Sequence, residues 1–183
     1  MMWTTAILSL SVAASHVWAA PVDGGLDLFK LKISSPANAE LDGRYLALNG
    51  SSLGLYEGDD TSPVRVYQKS SEKKGCMELH TYPVGFVDHA LGLVGPPGLM
   101  TFTDIVNPNG TKPGNGQVKE WDTFQMMSDN KLTNDGRGAW LAFPAARSSW
   151  KVKWSDGSAI MTTDYMPIEI KMEAAGQGRY NEE

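Results

Sequence analysis

Cysteine is almost absent from this chain of 183 residues: Cys76 stands alone, so no disulfide can form within it. Stability must therefore come from burial. Long apolar runs are also missing. The longest, Thr5 to Val17, falls short of the roughly 20 residues that cross a bilayer as a helix. Positive charge is short, with 16 Lys and Arg against 21 Asp and Glu, a net charge of −5 and a pI near 5.2. Such a surface repels phosphate backbones and anionic headgroups, so neither nucleic acid nor a membrane is an expected partner. Histidine is scarce as well. Of three, His16 lies in the N-terminal apolar run, which leaves His80 and His89 for any acid–base or metal chemistry.

The uncharged run Thr5 to Val17, followed by Val17-Trp18-Ala19, reads as a secretory signal over residues 1–19, with the mature chain starting near Ala20. Residues 20–173 then form a single domain with room for a substantial core, and residues 174–183 form a polar tail that is expected to fray. The protein is expected outside the cell, as a monomer.

Helical periodicity is not visible in the mature part. Apolar residues alternate with period two in short runs, punctuated by 19 Gly and 10 Pro, and twelve strands are expected. They fall into three groups of four. The first is Phe29–Ile33, Tyr45–Leu48, Leu53–Tyr56 and Val64–Tyr67. The second is Met77–Tyr82, His89–Val94, Leu99–Thr103 and Thr123–Met127. The third is Lys131–Thr133, Ala139–Phe143, Trp150–Trp154 and Ile168–Met172. Leu46-Ala47-Leu48, Leu91-Gly92-Leu93 and Leu141-Ala142-Phe143 recur at intervals of about fifty residues, each before a turn and another alternating strand. The pattern predicts an all-β fold, a β-trefoil-like barrel, with a two-sheet β-sandwich as the alternative. The segment Asn107 to Gln117 is expected to be an exposed loop.

Gly50-Ser51-Ser52-Leu53-Gly54 matches the G-x-S-x-G pattern of a hydrolase nucleophile. That motif needs a helix immediately afterwards, whereas the residues after Gly54 alternate and then reach acidic turn residues and a proline. The segment is therefore read as a hairpin, with Ser52 not a nucleophile. Asp88 and His89 are neighbours and face opposite sides of a strand, so they cannot pair directly. Cys76 and His80 share a face but lie about 13 Å apart along a strand. Cys76 is read as a half-buried small hydrophobe. No catalytic residue, metal or cofactor is expected; Glu57, Asp59 and Asp60, and likewise Asp129, Asn134 and Asp135, lack the spacing of a calcium loop and read as solvated turns.

In a secreted chain, Asn49-Gly50-Ser51 and Asn109-Gly110-Thr111 are glycosylation acceptors at exposed turns. In Trp150-Lys151-Val152-Lys153-Trp154 the tryptophans and Val152 share one face and the lysines the other. This fits an amphipathic strand with its tryptophans in the core. The other reading is a sugar-stacking platform of Trp140, Trp150 and Trp154. None of the four glutamines makes the Gln-x-Trp of ricin-type trefoil lectins, which counts against a lectin.

The stretch from Phe124 to Met172 resembles the fungal cell wall PhiA-like family of small secreted proteins, through Asn130, Leu132, Thr133, Gly136, Ala142, Pro144, Trp150, Val152 and Ile168. The N-terminal "GRYLALNGSSLGLY" matches more loosely. The resemblance implies a secreted, non-catalytic glycoprotein of the fungal wall or its surroundings, connected with wall structure and spore-forming cells. Phe143 and Met166 stand where the family pattern suggests cysteines, which implies that an apolar pair replaces a disulfide. A carbohydrate-binding module or a trefoil-type protease inhibitor is the alternative. The expected partner is a cell wall polysaccharide or an extracellular protein.

Overall fold

The computed structural model describes residues 25–58, 62–146 and 148–180. The expected signal segment lies outside them. The described residues are all-β, with thirteen strands and no helix. In chain order these are β1 (Gly25–Ser34), β2 (Ala47–Asn49), β3 (Ser52–Leu55), β4 (Arg65–Ser70), β5 (Met77–Tyr82), β6 (His89–Gly95) and β7 (Leu99–Val106). Next come β8 (Val118–Glu120), β9 (Phe124–Met126), β10 (Lys131–Asn134), β11 (Ala139–Ala146), β12 (Ser149–Ser155) and β13 (Met166–Arg179). All twelve strands expected from alternation are present, eleven of them within four residues of their predicted ends; the last, expected over Ile168–Met172, runs seven residues further. The thirteenth, β8, pairs with β6 from Leu93↔Glu120 to Gly95↔Val118. It escapes notice in the sequence because Val118-Lys119-Glu120 holds a single apolar residue and no alternation.

All pairings are antiparallel and belong to one sheet. The path β1–β4–β5–β9–β10–β13 returns to its start, because β13 pairs with β1 over most of its length. Three hairpins, β2–β3, β6–β7 and β11–β12, lie beside that path, two of them joined to it by the β5–β6 pairing at His80↔Ala90 and the β11–β13 pairing at Trp140↔Ile168. Their second arms meet one another through β12–β3, β12–β7 and β3–β7 contacts. A path that closes on itself leaves few strand edges to template aggregation.

One main core fills the interior. Leu31, Ile33, Val66, Leu79, Phe124, Leu132 and Ile170 come from the returning path, and Leu53, Leu93, Phe102, Trp140, Val152 and Trp154 from the hairpins. At its centre Phe102 packs on Trp140 (ring centroids 4.8 Å apart) and Trp140 packs edge-on against Trp154 at 5.0 Å. The buried indole N–H of Trp140 donates to the Leu132 carbonyl at 2.7 Å, which satisfies its donor. A smaller cluster of Leu26, Leu28, Tyr67 and Tyr82 lies apart from it.

The C-terminal residues depart from expectation. Residues 174–179 are not a frayed tail: they continue β13, pairing Phe29↔Ala174, Asp27↔Gln177 and Gly25↔Arg179. Pairing uses backbone groups, so a polar stretch with little alternation still forms a strand when a partner strand lies beside it. The Phe143–Met166 pair is also corrected. Ala142 lies opposite Met166, and the ring facing Phe143 is that of Tyr165, 4.7 Å away. Phe143 and Met166 therefore lie on opposite faces of the sheet.

Candidate functional site

The "LNGSSLGLY" segment folds as the hairpin β2–β3, with Asn49 opposite Ser52. Gly50, the first central residue of its two-residue turn, has φ +59°, the conformation a II′-type hairpin requires there. Gly54 serves packing: a Cβ on it would lie 2.1 Å from the Trp150 carbonyl oxygen, where β12 crosses β3. Both glycines of the hydrolase-like pattern are thus explained by the hairpin and its neighbour. Asn49 is exposed beside the turn, and Asn109 is exposed in the long loop.

Trp140, Trp150 and Trp154 are 3%, 7% and 2% exposed and belong to the main core. Lys151, between them, is exposed. The amphipathic-strand reading describes them, and the flat platform of three surface rings does not form, because all three are buried, Trp140 against Phe102, Phe124 and Trp154. Trp140 and Trp154 still border an apolar cleft of about 650 Å³, with Pro36, Met127, Pro167 and Ile168. Trp150 is not among its lining residues. At the rim Lys131 bridges Asp129 (3.1 Å) and Glu169 (2.9 Å), and hydrogen bonds to Glu169 and then Asp129 raise the Lys131 pKa above its ordinary value.

The two described histidines are both held by carboxylates. His80, 1% exposed, places Nε2 2.8 Å from Glu78 Oε2 and Nδ1 2.7 Å from Asp88 Oδ1. Tyr67 stacks on His80 at 5.5 Å, and Trp121 meets it edge-on at 6.1 Å. His89 Nδ1 lies 2.7 Å from Asp104 Oδ2. Asp104 Oδ1 is buried without a hydrogen-bond partner. Asp88 and His89 do face apart, as the alternation requires; what the sequence hides is that the β5–β6 connection brings Asp88 back onto His80, eight residues earlier. Cys76 is half-buried and takes a hydrogen bond from the Gln125 amide at 3.6 Å.

That connection, Pro83-Val84-Gly85-Phe86-Val87-Asp88, carries the most exposed apolar residue among those described. Phe86 reaches 109% of its reference area and Val87 48%. Both ends of the loop are fixed. Val84 packs on the Leu26, Leu28, Tyr67 and Tyr82 cluster, and Asp88 holds His80 through its carboxylate. The Asp88 carbonyl also accepts the Asn107 N–H at 2.7 Å. A signal for this loop is present in the sequence, because an apolar Val-Gly-Phe-Val where a turn should be polar violates binary patterning unless it has a use. A second exposed tip is Ile160, at 99%, between β12 and β13.

Among the described residues no group of three or more His, Cys, Asp or Glu could hold a metal ion. Asp129 is engaged by Lys131, and Asn134 is buried, hydrogen-bonded to Thr123 and Glu120. Asp59 and Asp60 lie outside the described residues. No protein-family model, curated protein or solved structure matches the chain.

Proposed function

We propose that this is a secreted, non-catalytic protein of the fungal wall or its surroundings, built as a β-trefoil and working by binding. The fold assignment is supported by the returning path of six strands, the three hairpins beside it, one from each four-strand unit expected from the sequence, and the mutual contacts of their second arms. The observation that carries the binding role is the placement of fully exposed apolar side chains, Phe86 and Ile160, on connections between the strands of a closely packed scaffold. Phe86 stands beside Val87, itself about half exposed, on a loop held at both ends by a rigid scaffold, where binding residues concentrate. The wall location rests on the PhiA-like resemblance, the expected signal and the exposed sequons at Asn49 and Asn109.

Sedimentation with insoluble chitin and β-glucan tests the location. Retention of the protein secreted by its host, released by polysaccharide digestion, is the expected result; full recovery in the supernatant with both polymers removes the wall reading. The same assay separates the carbohydrate-module alternative, which is favoured by the cleft bordered by Trp140 and Trp154. Competition by short soluble oligosaccharides, abolished by Ile168→Arg at the cleft, is the outcome that would favour it.

A further inference from the structure

The β5–β6 loop has the construction of a protease-directed bait. A serine protease reads a polypeptide by taking one side chain into a slot beside its nucleophile, and the chymotrypsin-like class has an apolar slot. A protein that occupies such a site without being consumed must present that side chain free of its own fold, on a loop that stays ordered before and after binding, so that little conformational entropy is lost. Phe86 meets the first condition, with its whole ring in solvent. The second is met two residues away on each side: Val84 is packed into the Leu26, Leu28, Tyr67 and Tyr82 cluster, and Asp88 is tied to the buried His80 at 2.7 Å and to the Asn107 N–H at 2.7 Å. His80 is itself clamped by Glu78 at 2.8 Å and stacked on Tyr67, so the side-chain anchor of Asp88 is part of the sheet. The chain bends at Phe86 and Val87 between these two fixed points, which throws the Phe outward.

We infer that the Pro83–Asp88 loop is an inhibitory loop for a chymotrypsin-like serine protease, with Phe86 entering the apolar specificity slot and the Glu78–His80–Asp88 cluster positioning the loop. This deepens the binding role proposed above and rests on it. The choice of a protease over a lipid surface follows from the geometry: a lone protruding ring between two fixed points matches a slot, and an acidic protein gains nothing from anionic lipid.

Hydrolysis of a chromogenic peptide by chymotrypsin and by trypsin, titrated with the full secreted protein, tests the inference. The expected result is inhibition of chymotrypsin at about one protein per enzyme, weakened at least about thirty-fold in Phe86→Ala. Phe86→Arg should transfer inhibition to trypsin. Asp88→Ala, which frees the loop, should be cut after Phe86 faster than the parent protein. Phe86 touches no core residue, so its variants keep the fold, as a matching unfolding midpoint would show. Chymotrypsin left fully active, rapid cleavage of the parent after Phe86, or inhibition unchanged in Phe86→Ala each overturns the inference. Phe86-dependent binding to neutral phosphatidylcholine vesicles without inhibition would assign the loop to lipid instead, and likewise overturns it. Polysaccharide retention is scored separately: a protein that sediments with glucan and leaves chymotrypsin active keeps the binding role and loses this loop's assignment.

Discussion

Single residues separate what the sequence motif suggests from what the packing requires. In the Gly50-Ser51-Ser52-Leu53-Gly54 segment the decisive position is Gly54, not Ser52, because β12 passes so close that a methyl group would overlap the Trp150 carbonyl. Gly54→Ala should lower stability by about 1–3 kcal/mol or more, as overpacking does, while Ser52→Ala should stay within about 0.5 kcal/mol of the parent in urea unfolding. A serine-directed phosphonate should leave the protein unlabelled. Phe143 gives a second contrast. It is half-buried over Tyr165 with Lys153 nearby, so truncation to Ala should cost about 0.5–1.5 kcal/mol, against about 3–5 kcal/mol for the fully buried Phe102. A double cysteine at 143 and 166 should keep two free thiols under oxidising conditions, because the two side chains leave the sheet on opposite faces. Tyr67 sets an alkaline limit. Burial, then the charges of Tyr180 and Asp88, push its phenol up to about 12 from an ordinary value near 10. The folded state favours the neutral phenol, so this contribution is intact below about pH 10 and is lost as pH rises toward 12. Tyr67→Phe should flatten the fall of the unfolding midpoint over that window, measured by circular dichroism.

At the scale of elements, the strands that alternate were legible and those held by backbone pairing alone were not. Truncation after Glu173 measures the difference. It removes the partner of residues 25–29 and uncovers Leu26 and Leu28, which should cost about 2–4 kcal/mol and lower the thermal midpoint by several degrees. Period two was sufficient for strands such as β1, β3 and β6, where Leu31 and Ile33, Leu53 and Leu55, and Leu91 and Leu93 alternate, and for the Trp-Lys-Val-Lys-Trp of β12. It failed for β8 and for the end of β13, whose hydrogen bonds depend on strands distant in sequence. The candidate site was legible in the same uneven way. The exposed turns at Asn49 and Asn109 follow from their residues, and the burial of Trp150 and Trp154 follows from the alternation with Lys151 and Lys153. The His80–Asp88 and His89–Asp104 pairs did not, since each is made by a connection that returns one strand onto another. The apolar β5–β6 loop was visible in the residues from Val84 to Val87, but only the anchors at its ends show that it is presented and not merely exposed.

For the molecule as a whole, the long β1–β13 pairing has a consequence for how this scaffold can be rebuilt. Gly25 is the direct cross-strand partner of Arg179, so the first and last described strand residues stand about 5 Å apart at Cα. A short glycine linker could join them without moving either strand, and the chain could then be reopened in the exposed, Gly- and Pro-rich segment between Asn107 and Gln117. Every strand pairing would survive such a circular permutation. The two ends emerging together also mean that the domain can be spliced into an exposed loop of another protein, like a bead on a doubled thread.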